Sequence, residues 1–304
     1  MASKLPTPLC GIIPPMVTPL TGRDTLDVAG MEKLIEHILG GGVNGLFLLG
    51  TTGNAPALSY ELRYELIEKA CKVVNGRVPV LVGITDTSFV GSVNVAKKAA
   101  ECGADALVLA HPYYLSASQD EILQYLKDLM PELPLPVYLY NMPGCTKLTF
   151  APATVKAAAE IDGIIGLKDS GANMVYFHQL QHLLKDKPDF SLLVGPEELL
   201  GETVLLGGHG GVCGGANMFP SLYVNLYKAA AAKDVDKVNE LHAKVMDISA
   251  RLYGVGNSGN NYLCGVKTAL GLMGICSDFM AEPFHGFGDK EKKIIANHLK
   301  ELNM

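Results

Sequence analysis

The sequence predicts an α/β chain folded as a closed (β/α)8 TIM barrel with a C-terminal helical appendage. Eight short apolar runs recur about every 20 to 35 residues along the 304-residue chain. Helix-patterned segments separate them. The runs are nearly continuous in apolar character, as parallel strands buried on both faces must be. Eight strand–helix alternations favour a closed barrel over the competing open doubly wound sheet. That sheet usually has fewer strands, and no GxGxxG turn follows the first run.

In chain order the predicted strands are Gly11–Val17, Gly45–Leu49, Val80–Ile84, Ala106–Ala110, Val137–Tyr140, Ile164–Leu167, Ser191–Val194 and Gly211–Cys213. Between the second and third, Ser59 is a candidate N-cap. Leu62, Leu66, Ile67, Ala70 and Val74 then share one helical face, and Gly76 is the stop. After the third, Val93, Ala96, Ala99 and Ala100 run helically from Phe89 to Gly103. Ser118 to Glu121 forms a capping-box pattern before Ile122, Leu123, Tyr125 and Leu126. Beyond Phe219 the pattern changes to helices over Pro220–Tyr253, Val266–Gly274 and Asp289–Leu302, with Gly254–Asn261 as a loop. The expected division is residues 1–232 as the catalytic barrel and 233–304 as the helical extension.

Composition narrows the function classes. Hydrophobic residues make up 48% and charged residues 18%, below the usual ~25%, which fits a chain that also buries surface between subunits. The net charge of −6 gives no basic footprint for nucleic acid. No apolar stretch approaches the ~18 residues of a membrane span. The N-terminus lacks the charged-then-apolar order of a signal peptide, and seven scattered cysteines read as free thiols of a cytoplasmic protein.

In a parallel barrel, chemistry sits at the C-terminal strand ends. Lys168 closes the apolar run that starts at Ile164. Burial disfavours the ammonium form of an amine, so such a lysine suits imine formation; pairing with Asp169 or escape to solvent is the competing explanation. Tyr140 closes the preceding strand and can relay protons at the same mouth, or be structural. The turn Gly50-Thr51-Thr52-Gly53 offers backbone N–H groups and two hydroxyls to a carboxylate or a phosphate. Tyr113 and Tyr114 follow the fourth strand, placed to line the site or an interface. His178 and His182 stand at half-metal-site spacing without a third ligand nearby, so no metal is expected. Cys145 and Cys213 lie near strand ends, with no base assigned to either thiol.

Together these features resemble the dihydrodipicolinate synthase and N-acetylneuraminate lyase superfamily of pyruvate-dependent class I aldolases. The markers are Gly50-Thr51-Thr52-Gly53, Pro112-Tyr113-Tyr114, Tyr140-Asn141-Met142-Pro143, Gly166-Leu167-Lys168-Asp169 and Gly207-Gly208-His209-Gly210-Gly211. In this order they span the whole chain. The resemblance implies that Lys168 is the Schiff-base lysine and Tyr140 the proton-transfer tyrosine. It implies that Thr51 and Thr52, with Gly50 and Gly53, bind the pyruvyl carboxylate, Thr51 also serving the proton relay. Tyr114 matches a tyrosine that enters a neighbouring subunit's site, and Val212 a residue whose backbone lines the pyruvate pocket. A homotetramer, arranged as a dimer of dimers, and the absence of any metal or organic cofactor are implied as well.

Three departures bear on the substrate. Cys145 stands where dihydrodipicolinate synthases usually carry an arginine that holds the carboxylate of aspartate semialdehyde. Glu198, in Gly195-Pro196-Glu197-Glu198, matches an acid that binds substrate hydroxyls in N-acetylneuraminate lyases, and Ser170 matches a hydroxyl residue of sugar-acid aldolases. For both glutamates a plain helix N-terminus is the competing explanation. Asn54 replaces a glutamate usual in both subgroups. The leading expectation is therefore an aldolase or lyase on a 2-oxo sugar acid of the N-acetylneuraminate or 2-keto-3-deoxy type. The alternative within enzymes is 4-hydroxy-tetrahydrodipicolinate synthase of lysine biosynthesis. A phosphate-binding barrel enzyme and an inactive homologue are the other classes, the latter opposed by the intact Lys168, Tyr140 and Thr51.

Overall fold

The computed structural model describes residues 5–302. Met1 to Lys4, part of the stretch read for a targeting signal, lie outside the described residues. Eight parallel strands form the barrel: β1 (Gly11–Ile12), β2 (Leu46–Leu48), β3 (Val80–Gly83), β4 (Ala106–Leu109), β5 (Val137–Asn141), β6 (Ile164–Asp169), β7 (Ser191–Val194) and β8 (Gly210–Gly211). From β2 to β8 each strand pairs with its neighbour in sequence, and β8 pairs with β1. The last gap closes between β1 and β2. There Ile12 N–H donates to Asn44 Oδ1 at 3.0 Å, Asn44 N–H to Ile12 O at 2.8 Å, and Pro15 bridges Phe47.

β1 is shorter than the predicted Gly11–Val17. Pro14 and Pro15 have no N–H to give to a ladder, so past Ile12 the pairing thins to Ile13 N–H on Gly211 O, Phe47 N–H on Pro14 O and Met16 N–H on Phe47 O. A small antiparallel hairpin, Leu20–Gly22 with Thr25–Leu26, follows before the first helix.

The helices α1 (Val28–Gly40), α2 (Tyr60–Val74), α3 (Phe89–Glu101), α4 (Gln119–Leu129), α5 (Pro152–Ala158), α6 (Met174–Leu183), α7 (Leu200–Leu205) and α8 (Pro220–Ala231) alternate with the strands. Ser59 caps α2 through Leu62 N at 3.1 Å, and Ser118 with Glu121 closes a full capping box on α4. α2 ends at Asn75, in the left-handed conformation, one residue before the anticipated Gly76.

The predicted helix over Pro220–Tyr253 is broken. α8 stops at Ala231, Asp234 caps a new helix α9 (Val235–Ile248), and a π-turn over Ser249–Tyr253 follows. The cause is local: the Asp234 carboxylate accepts from Lys237 N–H, restarting the helix. α10 (Asn261–Leu272) begins five residues before the predicted Val266, and α11 (Asp289–Leu302) matches its prediction.

Two main apolar cores result, beside a small cluster of Leu263, Cys264 and Met280. A small one fills the barrel, with Ile13, Phe47, Leu81, Val108, Tyr138 and Leu193 among its members. The larger one lies between the strands and the helical ring and takes in side chains of α9, α10 and α11. Among the described residues no helix is long and apolar enough to cross a membrane. All seven cysteines are free thiols.

Candidate active site

Strand register brings the two strand-end residues together. Tyr140 in β5 is the direct partner of Lys168 in β6, and Asn141 that of Asp169. Successive side chains on a strand point to opposite faces, so Lys168 and Tyr140 turn into the barrel while Asn141 and Asp169 turn outward. The Lys168 Nζ lies 4.1 Å from the Tyr140 ring centre and 5.3 Å from that of Phe47, and the residue is 6% exposed.

Pairing with Asp169 does not occur. Asp169 receives Asn141 Nδ2 at 2.7 Å and Gly171 N–H at 3.0 Å, and burial holds its carboxyl above the ordinary range. Lys168 takes part in none of the ion pairs found among the described residues. What remains is an amine walled by aromatic faces and open to one cavity.

The turn after β2 reaches the same place. Thr51 Oγ1 lies 3.2 Å from the Tyr140 hydroxyl, and Thr52 Oγ1 lies 3.2 Å from the hydroxyl of Tyr262. Gly53 N–H and Asn54 N–H turn back onto Gly50 O and Thr51 O. Among the described residues the N–H groups of Thr51 and Thr52 make no such bond, which leaves a small nest of donors suited to a carboxylate.

Two cavities adjoin at Tyr140, Thr51 and Met142. The first, about 250 Å³, holds Lys168, Thr52, Ser170, Gly195, Glu197, Glu198, Val212, Tyr253 and Tyr262. The second, about 280 Å³, is lined by Phe47, Gly50, Asn54, Tyr113, Cys145 and Leu263 among others, and by no charged residue. Asn54 is 6% exposed there, and its side-chain oxygen has no hydrogen-bond partner.

Most sequence-predicted residues therefore meet at one mouth. Tyr114 does not: it is 84% exposed and borders neither cavity, whereas Tyr113 lines the second. Val212 is anchored by its N–H on Val194 O at 2.8 Å. Glu198 borders the first cavity with one oxygen accepting from Ser249 Oγ at 2.6 Å. Cys213 is fully buried and its thiol is pushed far up by burial, while Cys145 sits exposed at the rim. His178 engages Gln181, and no three-residue metal cluster exists among the described residues.

Sequence reasoning missed Tyr253 and Tyr262, and it read Glu197 only as the first of the acidic pair Glu197-Glu198. Glu197 is buried and accepts from Tyr253 at 2.6 Å, Tyr223 at 2.7 Å and Gly215 N–H at 2.7 Å. Burial drives its carboxyl up, and those three donors partly offset the rise. The signal for the tyrosines was absent because they come from the π-turn and α10, outside the strand ends.

The family model described as the dihydrodipicolinate synthetase family matches residues 8–302. The chain belongs to that family. A solved structure described as dihydrodipicolinate synthase from Bacteroides thetaiotaomicron is 56% identical, superposes with a TM-score of 0.96, and matches over 97% of this chain and 99% of that one. YagE from Escherichia coli K12, solved in complex with pyruvate, superposes with a TM-score of 0.90 at 32% identity over 97% of this chain and 98% of its own. A 4-hydroxy-tetrahydrodipicolinate synthase of Methanocaldococcus jannaschii is 31% identical over 97% of this chain and 99% of its own. As a member of the family the protein is a carbon–carbon lyase of the pyruvate-dependent aldolase type. Proteins named as 4-hydroxy-tetrahydrodipicolinate synthase and as 2-dehydro-3-deoxy-D-gluconate aldolase stand among its relatives.

Proposed function

We propose that Lys168 forms a covalent imine with a 2-oxo acid and that the protein cleaves or forms the C–C bond next to pyruvate in a 2-oxo sugar acid. The observation that carries the substrate preference is charge. Among the described residues Lys168 is the only cation lining either cavity; the other charged lining residues are Glu197 and Glu198. A pyruvyl carboxylate can rest on the donors of Thr51 and Thr52. A second carboxylate would meet no cation, and burying an unpaired charge is strongly unfavourable. Hydroxyls suit the same walls, since Glu198, Ser170 and the unpartnered Asn54 oxygen accept hydrogen bonds.

The chemistry follows from the placement. The Lys168 amine adds to the 2-oxo carbon, and Tyr140 gives the proton with which the carbinolamine hydroxyl leaves as water, so that a protonated imine and a Tyr140 phenolate result. The substrate hydroxyl gives its proton to Tyr140, the C–C bond breaks, and its electron pair flows into the imine to form an enamine and an aldehyde. Protonation of the enamine and hydrolysis release pyruvate and restore the amine. The imine itself is the electron sink, so no metal or organic cofactor enters these steps. Thr51, 3.2 Å from the Tyr140 hydroxyl, extends the proton path.

Condensation of pyruvate with aspartate semialdehyde is the second reading, favoured by the similarity to proteins bearing the synthase name. It needs a cation that Cys145 does not supply. Borohydride reduction in the presence of pyruvate, followed by peptide mass spectrometry, is expected to label Lys168 and to give no adduct in Lys168→Ala. A missing adduct, or one on another lysine, overturns the imine reading. Pyruvate release is then assayed across 2-oxo sugar acids. Faster turnover of pyruvate with aspartate semialdehyde overturns the sugar-acid preference alone.

A further inference from the structure

We propose that Tyr262, carried by the C-terminal helix α10, is a positioning residue for the 2-oxo acid: it donates to Thr52 and so turns the Thr52 hydroxyl proton toward the bound carboxylate. The inference rests on the imine reading above for the location of that carboxylate.

The two neighbouring threonines each have their own phenol. Thr51 Oγ1 faces Tyr140 and Thr52 Oγ1 faces Tyr262, both at 3.2 Å. Thr52 Oγ1 is the only hydrogen-bond partner of the Tyr262 hydroxyl among the described residues, which makes Tyr262 the donor of its pair. Thr52 is 7% exposed, borders the Lys168 cavity, and has no other side-chain hydrogen bond among the described residues. One of its two lone pairs is occupied by Tyr262, and its own proton is left for a ligand. Burial and the nearby Glu197 charge push the Tyr262 phenol far above its ordinary value, which keeps it a donor across the working pH range.

The rest of the network fixes where that phenol sits. The Tyr253 ring meets the Tyr262 ring edge-on, with centroids 4.9 Å apart at 79°. Tyr253 is itself tied to the buried Glu197. Space for the hydroxyl is made by glycine: a Cβ on Gly214 would stand 1.5 Å from the Tyr262 oxygen. Gly214 cannot drift away, because its carbonyl accepts from Asn217 Nδ2 at 2.8 Å and Asn217 is fully buried. A merely structural tyrosine would need neither the aligned threonine nor the vacated Cβ position.

The test titrates pyruvate in the borohydride trapping reaction and reads the half-saturating concentration from the Lys168 adduct. Tyr262→Phe keeps the ring against Tyr253 and deletes only the hydroxyl. It is expected to raise half-saturation about tenfold, the loss of one well-placed hydrogen bond, while the adduct at saturation stays within about twofold. Thr52→Val is expected to raise it similarly, and the double variant to add less than about twofold more, because both changes remove one device. Gly214→Ala, which displaces the phenolic oxygen without altering either partner, should shift half-saturation in the same direction and decides the matter if Tyr262→Phe folds poorly. Unchanged half-saturation in Tyr262→Phe with the adduct intact, or full additivity with Thr52→Val, overturns this inference and leaves the imine reading standing. No adduct in the parent enzyme overturns both.

Discussion

Among the described residues two lysines are buried, and their surroundings give them different work. Lys168 faces a cavity across two aromatic rings. Lys267, 1% exposed in the middle of α10, spends its ammonium on a single carbonyl, Phe279 O at 2.6 Å. Burial lowers the Lys267 amine from 10.5 to about 8, against smaller opposing pulls from Cys276, Asp278 and Cys264. Between pH 8 and 10.5 the unfolded chain therefore holds a proton that the folded chain lacks. Stability then rises with pH through that window and is lowest below it. Relative to Lys267→Met, the parent protein is expected to gain up to about 3 kcal/mol between pH 7 and pH 10.5. Urea unfolding of both proteins at the two pH values checks this, and parallel stability curves would refute it. Lys267 escaped the sequence reading because it lies inside an ordinary helical pattern, whereas Lys168 ends a strand and announces itself.

At the scale of elements, the strands were the most legible part of the chain. An eight-fold series of short, unbroken apolar runs has few other uses, and every predicted run contains an observed strand or overlaps one. The departures have backbone causes: prolines shorten β1, and an aspartate cap splits the long C-terminal helix. The seam between β1 and β8 depends on glycine in a way the sequence did not reveal. Gly210 has φ of 152° and Gly11 of 101°, and a Cβ on Gly210 would lie 2.0 Å from Gly11 O. Backbone cannot swing aside as a side chain can. Gly210→Ala is thus expected to lower stability by about 3 kcal/mol, read as a drop in the urea midpoint with an unchanged slope. An unchanged midpoint would show that the seam opens without cost.

For the whole molecule, the question is what covers the loop after β4. Tyr114 is 84% and Leu115 78% exposed there, side by side. The family resemblance implies a homotetramer in which Tyr114 enters a neighbouring subunit's site, and we propose that assembly. Light scattering should give the mass of four chains. Tyr114→Ala should lower kcat at least about tenfold, as loss of a proton-transfer partner would. A monomer of full activity, or a silent Tyr114→Ala, would remove Tyr114 from the catalytic set.

The barrel, the meeting of Lys168 with Tyr140 at one mouth and the Gly50–Gly53 turn beside them are all legible along the chain. Those are local signals: an apolar run, the polar residue that ends it, and a glycine turn after it. Strand order then places neighbours in sequence side by side in space. The tertiary structure decided the rest. Glu197 bonds Tyr253 from 56 residues away, and Thr52 meets Tyr262 across 210. The unpaired Asn54 oxygen, the uncharged second cavity and the buried Lys267 are likewise products of packing. No spacing along the chain encodes such contacts, because burial and charge balance arise only when distant segments share one interior.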